Sequence, residues 1–154
     1  MGLHVGDKAP EFALPSSAGG EVSLAGLRGK KVVLYFYPKD NTPGCIKEAC
    51  GFRDADAELN EAGLVVLGVS ADSIESHDKF AAKFGLDFPL LSDAEKIVSI
   101  AYGAWGEKNV YGKKTIGMKR MTFLIDEEGR LARVWPRVKP EGHAREVLEA
   151  ALAA

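Results

Sequence analysis

The sequence predicts an α/β fold in which helices flank a mixed central β-sheet and a β-hairpin forms an N-terminal extension. Two uninterrupted apolar runs, residues 32–37 and 64–69, have the β-branched and aromatic composition of strands that are buried on both faces. About 26 residues separate the runs, which suits the long, usually helical crossover that parallel strands require. A later pair of apolar segments, 121–125 and 130–135, flanks a polar loop typical of an antiparallel hairpin.

Local patterns supply the remaining elements along the 154 residues, which we interpret as a single domain, 1–154. Strands are predicted at 12–14, 21–24, 31–37, 64–70, 121–125 and 130–135, and helices at 43–62, 73–84, 94–102 and 141–152. The glycine-rich segment 103–119 is predicted as a long loop. This order of elements is that of a thioredoxin-like α/β domain.

The charge balance argues against a nucleic-acid partner. The chain has 20 Lys and Arg against 22 Asp and Glu, so no basic excess is present to neutralise phosphates. The apolar runs are too short to cross a bilayer, and no signal-type apolar segment follows Met1. We therefore expect a cytoplasmic protein that binds neither nucleic acid nor membrane.

The chemistry of the sequence is concentrated around two cysteines, Cys45 and Cys50. Thr42 and Pro43 have the residue types of a helix N-cap and a first helical position, which makes Cys45 the third helical residue. A thiolate at that position faces unpaired backbone N–H groups and the positive end of the helix dipole, and both favour its charged form. Gly44 allows a small molecule to approach the backbone closely.

The spacing of the two cysteines limits how they can pair. Five residues along an intact helix place the two Cα atoms roughly 8.6 Å apart, beyond the limit of about 7 Å for a disulfide. A permanent disulfide is thus disfavoured, whereas a switch between a reduced helix and an oxidised, locally unwound state is allowed. Buried, inert cysteines remain an alternative, chiefly for Cys50. A zinc site is disfavoured because the histidines are scattered and the spacing is not CxxC.

These motifs resemble those of the peroxiredoxins, and specifically the peroxiredoxin Q or bacterioferritin comigratory protein branch. The resemblance rests on residues 35–45, YFYPKDNTPGC, and 48–54, EACGFRD, and extends to 90–93, 102–108 and 120–126. It covers nearly the whole chain, and the PxxxTxxC core followed by a cysteine five residues later is highly specific. Two departures, Ile46 and Met121, remove no reacting group.

The resemblance implies a thiol peroxidase that reduces hydrogen peroxide and organic hydroperoxides. Cys45 would be the peroxidatic cysteine and Cys50 the resolving cysteine of an intrachain disulfide, which thioredoxin or a similar dithiol protein would reduce. No metal, haem or flavin cofactor is implied. Because an intrachain resolving cysteine needs no partner subunit, we expect a monomer.

The resemblance also assigns a substrate pocket. Thr42 would direct its hydroxyl at the peroxide, the backbone N–H of Gly44 would hold substrate oxygens, and Pro38 would exclude water. Arg120 would lie beside the sulfur, although no local spacing ties it to Cys45. Glu48 shares a helix face with Cys45 and either orients Arg120 or faces solvent.

Two other functions stay open from the residues alone: a general disulfide oxidoreductase, and a binding domain whose helix melts on oxidation. His77 and His143 are both predicted on solvated helix faces.

Overall fold

The computed structural model describes residues 3–153. Its strands are β1 (Ala13–Pro15), β2 (Glu21–Ser23), β3 (Lys31–Phe36), β4 (Leu64–Ser70), β5 (Leu90–Ser92), β6 (Trp105–Val110), β7 (Lys113–Met118), β8 (Met121–Ile125) and β9 (Leu131–Trp135). Its α-helices are α1 (Pro43–Glu61), α2 (Ile74–Phe84), α3 (Ile97–Ala101) and α4 (His143–Ala153).

Five strands form the central sheet in the order β5-β4-β3-β8-β9. The β3–β4 and β4–β5 pairs are parallel, whereas β8 is antiparallel to both β3 and β9. The prediction of a mixed sheet is therefore confirmed, as is the antiparallel β1–β2 hairpin that precedes it.

Both faces of the sheet are covered, which explains why β3 shows no polar alternation. Val33 and Tyr35 project towards α1, α2 and α4, while Val32 and Leu34 project towards the N-terminal hairpin and α3. Helix α1 lies on the first of these faces and starts just beyond the carboxyl end of β3. Its N-terminus is therefore held at the edge of the sheet where ligands of α/β folds bind.

Between β4 and β8 one element was not predicted and one prediction is wrong. The three-residue strand β5 was not predicted, because so short a run carries no period. Residues 103–119 are not a loop but contain the β6–β7 hairpin. Its two turn residues, Tyr111 and Gly112, have φ of 52° and 80°, as a type I′ turn requires.

The two helical histidines are buried and not solvated. His77 is 0% exposed and His143 is 2% exposed. The His143 ring packs edge-on against Phe52 and Trp135, and its Nε2 lies 2.8 Å from Thr122 Oγ1. Each histidine lies on the apolar stripe of its helix, which is why the solvated assignment fails.

Within residues 3–153, no helix is long and apolar enough to span a membrane.

Candidate active site

The candidate active site lies at the N-terminus of α1. Thr42 is the N-cap in an extended conformation and Pro43 is the first helical residue, as predicted. The first helical hydrogen bond runs from Ile46 N to Thr42 O at 2.8 Å. Among the hydrogen bonds of residues 3–153, the N–H groups of Gly44 and Cys45 have no acceptor. These two backbone N–H groups are thus free donors at the start of α1.

Thr42 does not cap the helix with its side chain. Its hydroxyl donates to the carbonyl of Lys39 at 2.8 Å instead of accepting from the helix. The hydroxyl proton is therefore used in the bond to Lys39, and the lone pairs of Thr42 Oγ1 remain available to accept another hydrogen bond.

Arg120 and Glu48 complete the surroundings of the Cys45 sulfur. Cys45 is 1% exposed, and Arg120 Nη2 donates to its Sγ at 3.4 Å. The other terminal nitrogen, Nη1, donates to Glu48 Oε1 at 2.7 Å. Arg120 lies immediately before β8. The central sheet therefore brings it next to Cys45, although the two residues are 75 positions apart in sequence. This contact is what the sequence spacing alone did not reveal.

The ionisation of Arg120 and of its partner Glu48 follows from their burial and charge. Burial opposes the charge on Arg120, but Glu48 and Cys45 outweigh it and raise the pKa of the guanidinium. Burial raises the pKa of Glu48 to about 7, against the opposing effect of Arg120. Glu48 Oε2 is buried with no hydrogen-bond partner in the described part of the chain. The alternative in which Glu48 faces solvent is therefore wrong, since the side chain is buried and contacts Arg120.

Gly44 is needed for the guanidinium to lie where it does. A Cβ on Gly44 would stand 3.0 Å from Arg120 Nη2 and 3.7 Å from its Cζ. The absent side chain therefore lets Arg120 rest over the first turn of α1.

A cavity of about 830 Å³ opens beside this constellation. Its wall includes Pro38, Arg120, Tyr111 of the β6–β7 turn and Arg137. Arg120 is thus open to solvent through a cavity that lies between the β6–β7 hairpin and Pro38.

Cys50 lies on a different side of α1. It is a half-buried free thiol in a groove against Pro140 and Ala144 at the start of α4, and Cys45 is likewise a free thiol. Both lie on the continuous helix α1, so the helical geometry that keeps them apart applies to the reduced protein.

Sequence reasoning missed the buried pair Asp40 and His77, whose side chains meet at 2.6 Å beneath the loop before α1. With Asp72 they form the one cluster in the described residues with metal-ligand spacing. Its oxygens are already occupied by protein donors: Asp40 Oδ2 accepts from Ser76, and Asp72 Oδ2 accepts from Ser70 and from Asp40 N. The cluster is therefore a hydrogen-bond network and not a preformed cation site.

Comparison with known proteins places the chain in a family. A model of the AhpC/TSA family matches residues 5–134, and the chain belongs to that family. A putative peroxiredoxin Bcp of Coxiella burnetii is 55% identical over 148 residues, which are 96% of this chain and 98% of the relative.

Solved structures place it further, in the peroxiredoxin Q/Bcp branch. A cysteine-to-serine variant of Xylella fastidiosa PrxQ superposes with a TM-score of 0.92 at 39% identity, covering 99% of this chain and 98% of that one. Xanthomonas campestris bacterioferritin comigratory protein gives a TM-score of 0.87 at 44% identity, covering 92% and 90%. The chain is thus a peroxiredoxin, an enzyme that reduces peroxides with a cysteine thiol, and its fold is thioredoxin-like as predicted.

Proposed function

We propose that Cys45 is the peroxidatic cysteine and that the enzyme reduces hydrogen peroxide and organic hydroperoxides. One observation carries the proposal: the buried Cys45 Sγ lies 3.4 Å from Arg120 Nη2, at a helix start with two free N–H donors. Alkyl peroxide reduction by the Xanthomonas campestris relative supports the organic substrates.

In the first step the Cys45 thiolate attacks the terminal oxygen of the peroxide. An S–O bond forms, the O–O bond breaks, and the leaving alkoxide or hydroxide takes up a proton. Cys45 becomes a sulfenic acid, and the peroxide is reduced by two electrons to an alcohol or water.

The pocket residues orient the peroxide and stabilise the charge that develops. The N–H groups of Gly44 and Cys45 donate to peroxide oxygens, and Thr42 Oγ1 accepts from the peroxide O–H because its own proton goes to Lys39. Pro38, at the wall of the cavity, shields the sulfur from water.

Arg120 interacts with both the sulfur and the leaving oxygen. Its fork geometry allows one nitrogen to contact Cys45 while the other is held by Glu48. Glu48 is thus a positioning residue, because the orientation of the Arg120 guanidinium depends on it.

In the second step Cys50 attacks the sulfenic sulfur and water leaves. The disulfide of Cys45 and Cys50 forms within one chain only after the start of α1 unwinds. Thioredoxin or a similar dithiol protein then reduces it by thiol–disulfide exchange. We further propose a cytoplasmic monomer made of one domain, since resolution within the chain needs no second subunit.

The test is NADPH consumption with thioredoxin, thioredoxin reductase and hydrogen peroxide. We expect Cys45→Ser to abolish turnover, because no other group in the pocket can form the sulfenic acid. Cys50→Ser should consume about one equivalent of peroxide and then stall, because the first step remains and resolution is lost.

The same assay separates the alternative functions. Full activity of Cys45→Ser would contradict the mechanism. Reduction of protein disulfides without rapid peroxide consumption would instead indicate a general oxidoreductase.

A further inference from the structure

The buried residues Asp40 and His77 are not used by the mechanism above, yet Asp40 belongs to the loop that leads to Cys45 and His77 packs against it from α2. Asp40 is 6% exposed although it belongs to a loop. Its Oδ1 accepts from Tyr37 Oη at 2.5 Å, its Oδ2 accepts from Ser76 Oγ at 2.8 Å, and its Oδ2 lies 2.6 Å from His77 Nδ1. One side chain therefore joins the end of β3 to α2.

The hydrogen bonds of His77 hold its ring on both sides. Its Nε2 lies 2.9 Å from the carbonyl oxygen of Leu91, and its Nδ1 lies 2.6 Å from Asp40 Oδ2. Tyr37 and Ser76 also donate to Asp40, so three side chains contact one carboxyl group.

The loop is also held at a second point. Asn41, next to Asp40, has a φ of 61°, a left-handed conformation that asparagine adopts more readily than most residues. The backbone N–H of Asp40 adds a bond of 2.8 Å to Asp72 Oδ2. The position of Thr42 and Cys45 therefore depends on a contact with α2 that is 37 residues distant in sequence.

Phe52 holds α1 at the other end of its first two turns. Its ring is 0% exposed and stacks on Tyr35 at 4.7 Å. The first half of α1, residues 43–51, thus lies between two anchors, the Asp40–His77 pair and Phe52.

We propose that Asp40 and His77 are positioning residues that hold the loop before α1 and so favour the folded, peroxide-reactive arrangement over the unwound one. The inference rests on the proposed function, since it assigns the pair to the first of the two proposed steps. Without the pair, Thr42 and the free N–H donors lose their fixed positions, and the peroxide step slows. The disulfide step, which needs unwinding, does not slow.

The test measures the two steps separately by quenched-flow mass spectrometry of the full chain, which counts sulfenic acid and disulfide. We expect His77→Leu and Asp40→Asn each to slow the peroxide step about tenfold, with the disulfide step unchanged or faster. Because the two residues act as one unit, the double variant should be no more than about twofold slower than the slower single variant. Asp78→Asn, an exposed change on the same helix, is the matched control and should match the wild type.

Ser76→Ala is a milder variant that removes one hydrogen bond to Asp40 and keeps the pair, and it should slow the peroxide step about threefold. A proportional slowing of both steps, or unchanged rates in folded variants, would overturn the inference. If the wild type itself forms no sulfenic acid at Cys45, the proposed function fails, which this experiment registers separately.

Discussion

The two halves of α1 are held to the protein in different ways. In the first half, residues 43–51, the buried side chains are either small or ionisable: Cys45, Glu48 and Ala49. In the second half, residues 52–61, the bulky apolar side chains of Phe52 and Leu59 are fully buried. Unwinding the first half therefore exposes little apolar surface, whereas unwinding the second half would open the core.

Contacts at the helix surface follow the same division. In the second half, Glu58 forms a double hydrogen bond with Arg145 of α4, at 2.9 and 3.0 Å. In the first half, Lys47 reaches Glu141 only at 4.0 Å, with both side chains largely exposed. The first half of α1, which carries Cys45, is thus weakly attached to the protein, whereas the second half is anchored by buried apolar side chains.

The largest effect that tests this comparison is on stability. Phe52→Ala should lower the free energy of unfolding of the reduced protein by about 3–5 kcal/mol, because it leaves a cavity against Tyr35 and Phe88. Ala49→Gly, in the first half, should cost only about 1–2 kcal/mol. Urea denaturation checks both, and equal losses would show that the halves are anchored alike.

The pH dependence of stability tests the ionisable group of the first half. The pKa of Glu48 is about 7 in the folded protein against 4.5 for an unperturbed glutamate, so the contribution of Glu48 to stability is most favourable below pH 4.5 and is lost as the pH rises to about 7. That rise in pKa corresponds to about 3 kcal/mol. Glu48→Gln should lack this fall.

The readout is denaturant unfolding of the two proteins between pH 4.5 and 8. Glu61→Gln makes the same charge change at an exposed position of α1 and should follow the wild type. Parallel curves for wild type and Glu48→Gln would contradict the burial argument. The peroxide step of Glu48→Gln should nevertheless slow, since Arg120 loses its anionic partner.

A smaller effect is expected from the guanidinium fork. Arg120→Lys keeps the charge but loses the two-nitrogen fork that contacts Cys45 and Glu48, so the peroxide step should slow about 10- to 100-fold, or about 1.4–2.7 kcal/mol. Stopped-flow rates against peroxide concentration measure it. Arg133→Lys, on the exposed side of β9, is the control, and a similar loss there would mean that the effect is not local.

The smallest effect separates two glycines of the first half. Gly44→Ala should displace Arg120 by a few tenths of an ångström and reduce kcat/KM about fivefold, or about 1 kcal/mol. At Gly51 a Cβ would meet Ala144 at 3.8 Å, an ordinary contact, so Gly51→Ala should keep its activity and gain up to about 1 kcal/mol in stability. If both variants lose activity equally, helix stiffness and not the position of Arg120 is the cause.

The sequence correctly predicted the elements whose positions depend on residues that are close together in the chain. Uninterrupted apolar runs located β3 and β4, and Thr42 with Pro43 located the start of α1. The β6–β7 hairpin was missed because its exposed, lysine-rich strands bury no regular face.

The sequence contains a pattern that predicts the burial of the two histidines. His77 precedes Phe80 by three residues, and His143 precedes Val147 by four, so each lies on the apolar stripe of its helix. The contact of Asp40 with His77 had no such signal, because it joins residues 37 apart through the tertiary fold. The same holds for Arg120 and Cys45, which only the family resemblance connected.

The central claim is that the first half of α1 unwinds so that Cys45 and Cys50 join within one chain. The most direct measurement is non-reducing mass spectrometry after one equivalent of hydrogen peroxide, followed by trypsin. The account predicts an intact single chain lighter by two hydrogens, whose tryptic peptides 40–47 and 48–53 are joined by a disulfide. A disulfide-linked dimer, or oxidised Cys45 with Cys50 still open to alkylation, would contradict it.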